Sequence, residues 1–298
     1  MQDLVRQYDS AAKLLPVRLR SLTEGVNPSV KSSAEEFRLR SGRGFTLIAG
    51  GREVAPWGEV TVSAGEVAAL VNSAAKGSLH SVVSSVSRGF IACDGGHRVG
   101  IAGSAVAKDG NVSGFRVFTS ASVRIAKEIY GVADNVFAEL LVYNFPSAII
   151  ISPPGFGKTT LLRDLIRLAS NCGLRVSVAD ERSEIAAVSG GICGFDLGRC
   201  TDVIESAPKA EAVLMLLRAM NPQIIAVDEI TDTKDISAIK NAANCGVRLL
   251  ATVHAGSVEE FLARDKHRTL DSIFKKAVLI SQNGGKRTYS VHDIGEPK

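Results

Sequence analysis

The chain has 298 residues, 45% of them hydrophobic and 22% charged. That is enough for two ordinary domains and is the balance of a globular chain rather than a disordered one. The formal charge of +4 is small for this length, so it allows a phosphate-bearing partner without demanding one, and no run of about 18 apolar residues is present to span a bilayer.

The opening, MQDLVRQYDS, carries acids and lacks an apolar h-region, so it does not read as a signal peptide. QDLVRQYDSAAKLLPVRLRSL has helical spacing, interrupted at Pro16. EEFRLRSGRGFTLI reads as two strands around Ser41-Gly42-Arg43-Gly44. Ser63 and Glu66 form a capping box ahead of the helical GEVAALVNSAAK. SRGFIACDGGHRVGIAGSAVAKDGNVSGFRVF then reads as strands punctuated by Asp94-Gly95-Gly96 and Asp109-Gly110-Asn111. Together these predict an α+β domain over residues 1–130, with the joint in SASVRIAKEIYGVADN.

From 131 to 298 the pattern changes to strand–helix alternation. Apolar strands are predicted at 147–152, 175–180, 223–228 and 247–253, with helical segments between them. Such alternation favours an α/β domain with a mainly parallel, helix-covered sheet. The five cysteines, Cys93, Cys172, Cys193, Cys200 and Cys245, form no C-x-x-C pair. An odd, scattered set suits reduced thiols in a cytoplasm better than a disulfide framework or a zinc site.

The stretch ISPPGFGKTTLLRD, residues 151–164, carries the strongest chemical signal. A buried strand feeding a glycine-rich turn and then a helix makes an anion site: backbone N–H groups point inward and the helix dipole adds partial positive charge. Residues 152–159 read S-P-P-G-F-G-K-T against the phosphate-loop pattern G-x-x-x-x-G-K-[ST]. The pattern holds at Gly157, Lys158 and Thr159 and fails at Ser152; Gly155 sits inside the loop. The predicted nucleotide-binding set is Pro154, Gly155, Phe156, Gly157, Lys158, Thr159 and Thr160. The competing reading, a tight turn with a surface lysine, is weak beside GKTT at a helix start.

Such a loop needs an acidic strand to hold Mg²⁺. NPQIIAVDEI supplies one, ending in Asp228 and Glu229. Asp228 is predicted to serve the metal with Thr159, and Glu229 to polarise the attacking water. The acid pair lies beside the loop if the two strands are neighbours. The alternative is a helix N-cap and a first-turn acid. VSVADERSEI places Asp180, Glu181 and Glu184 past another strand, and LLATVHAGS places Thr252 and His254 past a fourth. Strand C-termini are where parallel sheets bind ligands. The acids could orient water or metal and the histidine could sense a γ-phosphate; a capped loop and a satisfied core histidine are the plain alternatives.

In order, the phosphate loop, the acidic box, the strand ending in Asp-Glu and TVH resemble the type II and type IV secretion ATPases. LLRAMNPQIIAVDEI, with Arg218 and Pro222, is similar to the segment before their catalytic glutamate. GGHRVGIAG, SPPGFGKTTLLRDLIR, DERSEIA and VDEI look like signatures of one branch, the stage III sporulation protein AA family, over roughly residues 35–280. The resemblance implies a RecA-like P-loop ATPase core at 131–298 with a smaller N-terminal α+β domain. It implies ATP and Mg²⁺ as cofactors and a homo-oligomeric ring, a hexamer, docked on membrane channel or secretion-complex proteins. It also implies a cytoplasmic ATPase peripheral to the membrane, in the mother cell of a sporulating bacterium. It assigns Arg98 and Arg124, with Arg116 weaker, as arginines brought to the nucleotide. The chain departs from the superfamily in having Asp228-Glu229 where Gly-Glu is usual. It also has Ile230-Thr231-Asp232 where Ile-Arg-Asp is usual, so the role of that arginine is not carried over. The chain ends soon after its last strands, with no appended cargo domain expected.

The catalytic set expected is therefore Glu229, Lys158, Arg98, Arg124, Glu184 and His254. A nucleic-acid-dependent motor of helicase type is the runner-up. Aromatics make up only 5% of the chain and no basic, aromatic-interleaved stretch is present, so no nucleic-acid partner is expected. A nucleotide-binding scaffold without turnover has no need of Glu229.

Overall fold

The structure, a computed structural model, describes residues 2–76, 89–108, 110–264, 269–283 and 286–294. The chain divides into two units, Met1–Glu128 with Ala187–Phe195, and Ile129–Ala186 with Asp196–Lys298.

In the first unit, α1 (Gln2–Ala12) and α2 (Val17–Glu24) are separated at Pro16, which caps α2 from an extended backbone. Proline has no N–H to continue a helix ladder, so the periodic run breaks there. α3 (Pro28–Ser33) follows, capped by Asn27. β1 (Ala34–Arg40), β2 (Thr46–Ala49) and β3 (Arg52–Val54) are joined by short turns. α4 (Ala64–Ala74) begins on the full Ser63–Glu66 capping box, which satisfies two first-turn amides reciprocally. Then come β4 (Phe90–Ala92), β5 (Arg98–Lys108) and β6 (Asn111–Arg124). Asp109, in the second turn read from the sequence, lies outside the described residues. The sheet order is β3-β2-β1-β6-β5-β4, and every neighbouring pair is antiparallel. Its core holds Tyr8, Leu19, Phe37, Leu47 and Leu70, with Phe45 stacked on Trp57 at 4.2 Å between centroids.

The stretch Ala187–Phe195 turns tightly, with Ser189 and Ile192 exchanging backbone hydrogen bonds across Gly190-Gly191. Ala187 and Phe195 pack with Ala126 of the first unit. The sequence reading placed this stretch in the C-terminal half; its contacts group it with the N-terminal one.

The second unit is a helix-covered sheet. It contains α5 (Asp134–Val142), β7 (Ala148–Ile151), α6 (Lys158–Asn171), β8 (Val176–Asp180), β9 (Thr201–Glu205), α7 (Lys209–Ala219) and β10 (Ile224–Val227). It continues through α8 (Thr233–Asn244), β11 (Arg248–Val253), α9 (Val258–Arg264), α10 (Thr269–Ile273), β12 (Lys276–Asn283) and β13 (Lys286–Asp293). The strand order is β13-β12-β7-β11-β10-β8-β9, parallel throughout except for the β12–β13 hairpin. Strands β7, β8 and β10 are buried along their whole length, as a sheet covered on both faces requires. The four strands named from the sequence are present; β9, β12 and β13 were not singled out, β9 and β13 being edge strands in which polar and apolar residues mix, and β12 carrying only the short apolar run Ala277–Ile280 before polar residues resume. Among the described residues, no helix is long and apolar enough to cross a membrane.

Candidate active site

The register of the parallel strands assembles the site. Ile151 of β7 stands opposite Val253 of β11, so Ser152 and His254 are the next residues out. Val227 of β10 stands opposite Ala251, so Asp228 aligns with Thr252. Val227 also stands opposite Ala179 of β8, so Asp228 aligns with Asp180 on its other side. All these residues leave the sheet at one edge, the C-terminal ends of the strands.

The condition set from the sequence, that the strand carrying the phosphate loop neighbour the strand ending in Asp228-Glu229, is not met: β11 lies between them. Residues from the end of β11 bridge the gap. Thr252 Oγ1 donates to Asp228 Oδ1 at 3.0 Å and accepts from the Glu229 amide at 3.0 Å.

The loop from Ser152 to Gly157 has positive φ at Gly155 (+78°) and Gly157 (+94°), whereas Ser152 is outside that region. Glycine is present where the left-handed conformation demands it and dispensable at Ser152, which explains the one mismatch to the pattern. Gly157 caps α6 in the left-handed conformation with no side-chain hydrogen bond to the first turn. No side-chain oxygen caps the first turn of α6, and uncapped amides at a helix start are what an anion takes up.

Lys158 is 7% exposed. Its Nζ donates to Ser152 O at 2.8 Å and Pro153 O at 3.0 Å, and meets His254 Nδ1 at 2.6 Å. Burial lowers the Lys158 pKa from the usual lysine range, while the Glu229 and Asp228 carboxylates oppose that shift. His254 Nε2 lies 3.2 Å from Glu229 Oε1, and Arg182 Nη1 lies 3.4 Å from Glu229 Oε2. A lysine donating to Nδ1 leaves the proton of a neutral imidazole on Nε2, pointed at Glu229. The line Lys158–His254–Glu229–Arg182 is thus consistent in donors and acceptors from end to end.

The backbone under Glu229 is held by Lys209, 5% exposed, whose Nζ donates to Glu229 O at 2.5 Å. The same ammonium pairs with Asp235 at 3.4 Å and Glu181 at 3.7 Å. Asp232 caps α8 by accepting from the amides of Lys234 and Asp235, so the acid after Ile230-Thr231 is a helix cap.

Glu184 sits in a pinned loop. Its amide donates to Asp180 Oδ1 at 2.8 Å and its carbonyl accepts from Arg163 Nη2 at 2.7 Å. Asp180 also accepts from the amides of Ile185 and Ala186. Burial raises the Asp180 carboxyl above its ordinary range in spite of the three donors. Asp180 is the capped-loop acid of the two readings weighed from sequence.

Thr159 and Thr160 are half-buried in the first turn of α6, Phe156 is half-buried in the loop, and Pro154 and Gly155 are exposed. Asp228 uses Oδ1 for Thr252 and the Glu229 amide. Thr159 and Asp228 are hydroxyl and carboxylate oxygen donors, the hard set that Mg²⁺ takes. Arg98 and Arg124 belong to the first unit, where they are register partners on β5 and β6 and so share one face of the sheet. Arg98 also lies 4.9 Å from the Phe90 ring centroid. Arg116 is exposed on β6. Sequence reasoning missed Lys209, which lies in no recognisable pattern, and the contact of Arg182, whose place directly after Asp180-Glu181 was a usable signal.

Residues 5–294 match the family described as Sporulation stage III, protein AA. Stage III sporulation protein AA of Bacillus subtilis (strain 168) is 31% identical over 286 residues, covering 94% of this chain and 92% of that one. Among solved structures, the ATPase DotB of Legionella pneumophila superposes with a TM-score of 0.58 at 17% identity, covering 93% of this chain and 80% of that one. The pilus retraction motor PilT with bound ADP gives a TM-score of 0.61 at 15% identity, covering 90% and 81%. At these identities the structural likeness is one of fold, and that fold is a RecA-like core with a smaller N-terminal α+β unit.

Proposed function

Because the chain belongs to the sporulation stage III protein AA family, we propose that it is a magnesium-dependent ATPase, a secretion-type motor that powers assembly of, or transport through, a membrane channel during endospore formation. The observation that carries this reading is the unbroken polar line from the loop lysine Lys158 through His254 to Glu229. It ties the group that meets a phosphate to the carboxylate that meets water.

In this reading the backbone of Pro154–Thr160 wraps the phosphates, and Lys158 exchanges its carbonyl acceptors for phosphate oxygens. Thr159 and Asp228 hold Mg²⁺, which neutralises charge on the transferring group. Glu229 orients the attacking water, and His254 links that carboxylate to the state of Lys158. Glu184 is the reserve acid. Arg98 and Arg124 take the part of the arginines that spread charge over the transferring phosphoryl group, an effect often worth about 10³–10⁵ in rate. The reading also takes the chain to work as a homo-oligomeric ring, a hexamer, in the cytoplasm against a membrane partner; the family and the likeness in fold to DotB and PilT support it.

The test is phosphate release from ATP by the purified chain with and without Mg²⁺, beside Lys158→Ala. Turnover that needs Mg²⁺ and disappears in Lys158→Ala supports the reading; equal release by the variant removes it. Arg98→Ala and Arg124→Ala are expected to lower turnover far more than nucleotide affinity, because the contact forms in the transition state. Strong stimulation by single-stranded DNA or RNA would move the protein to the nucleic-acid motors.

A further inference from the structure

The β12–β13 hairpin outruns the strand that carries the phosphate loop. β12 lies parallel to β7 with Leu279 opposite Ile151, where β7 ends. β12 continues to Asn283, and its Gln282 stands opposite Arg287 of β13. At about 3.3 Å per residue, the step from Leu279 to Gln282 adds roughly 10 Å. Arg287 is therefore level with the loop and not with the strand. Its side chain completes the reach: a Cβ placed on Gly157 would lie 3.1 Å from Arg287 Nη1 and 3.3 Å from Cζ. The guanidinium thus rests against the backbone of the last loop glycine, one residue before Lys158.

Electrostatics make this an odd resting place for a cation. No carboxylate is paired with Arg287 among the described residues. It sits at the positive end of α6, against the residue next to Lys158, and the helix dipole and the lysine charge both raise the potential it feels. A phosphate between the two cations turns that repulsion into attraction.

We infer that Arg287 is a phosphate-binding residue of the site, supplied by the same chain, that grips the diphosphate common to ADP and ATP. The inference rests on the nucleotide reading above and deepens it. The choice of phosphates follows from the loop: its backbone amides cradle the α- and β-phosphates, while the lysine reaches on to β and γ. A guanidinium against Gly157 is therefore on the diphosphate side. Arg287 contributes to holding nucleotide before and after hydrolysis alike, unlike Glu229.

The test is the affinity of Arg287→Gln and Arg287→Lys for ADP and for inorganic pyrophosphate, beside the parent and Lys158→Ala. Loss of one charge-assisted contact is expected to weaken both ligands in Arg287→Gln by about 10- to 100-fold, with partial recovery in Arg287→Lys. The thermal midpoint without ligand should match the parent, while the rise produced by ADP shrinks. If ADP weakens and pyrophosphate does not, the guanidinium is on the base or ribose and the phosphate contact is wrong. If both bind within twofold of a parent that binds ADP well, Arg287 is outside the site and the nucleotide reading stands. A parent that binds neither ligand overturns both. Should Arg287→Gln not fold, Arg287→Lys carries the same comparison.

Discussion

In the second unit every strand from β12 across to β9 runs the same way, whereas in the first unit each strand runs against its neighbours. The two histidines His254 and His97 carry the consequence of that difference. His254 comes off the end of a parallel strand, its side chain is 37% exposed, and it has a partner on each ring nitrogen. His97 precedes β5 in the antiparallel sheet and is 1% exposed. Its Nδ1 accepts from the Ala126 amide at 3.0 Å, and its Nε2 has no partner among the described residues. Where strand direction repeats, titratable side chains converge on one edge and can act together. Where it alternates, strand ends scatter to both edges, and a buried polar group serves its own neighbourhood.

The comparison is broken most decisively at Glu229. Glu229→Gln keeps size and hydrogen bonding but loses the charge, and is expected to cost about 10²–10⁴ in turnover while ADP still binds. Phosphate-release kinetics at saturating ATP read this out. Parental turnover would move the work to Glu184 and leave the polar line without a catalytic end.

Next is Lys209→Met. It removes the donor to Glu229 O and leaves Asp235, 7% exposed at its side chain, without its cation. Stranding a buried charge costs about 3–5 kcal/mol, so urea unfolding should show a loss of that size, with turnover falling too. Unchanged stability would mean that Lys209 only covers the loop.

His97 gives the matching measurement in the first unit. Burial pulls its pKa down from 6.5 to about 4. Between those values the unfolded chain binds the proton and the folded chain does not. Stability therefore falls as pH drops from about 6.5 to about 4, by up to about 3 kcal/mol in all. Unfolding midpoints over that range should slope less in His97→Gln; an equal slope assigns the effect to other groups.

The smallest expected effect is at Ser63. Ser63→Ala removes one half of the α4 capping box and should cost about 1 kcal/mol of stability with turnover unaltered. A change in turnover would show that the first unit's stability reaches the chemistry.

Much of the candidate site's geometry was readable before the fold, because its parts are local. The phosphate loop needs glycine at particular backbone angles, and Gly155 and Gly157 are where those angles occur. The strands are near-continuous apolar runs, so Asp228 and His254 were visible as strand-end residues. Strand order was not readable, since nothing within β7 or β10 says that β11 comes between them. Lys209 and Arg287 were missed because each acts across the fold, from positions with no pattern of their own. Ala187–Phe195 was read with the second unit because its apolar residues are interrupted by Gly190, Gly191 and Gly194 and show no period that tells which core they join.

That last stretch also sets a timetable. The ring of Phe195 lies against Gly96, where a Cβ would come within 2.7 Å of it, so the first unit is unfinished until Phe195 exists. A ribosome making roughly 5–20 residues per second needs several seconds to travel from the end of β6 to that point. In the interval it delivers β7, the phosphate loop and β8. The N-terminal half thus waits, as a nascent chain, on sequence encoded inside the gene segment for the RecA-like core. A stop codon placed between the two would be expected to release an incomplete first unit, however intact its own codons.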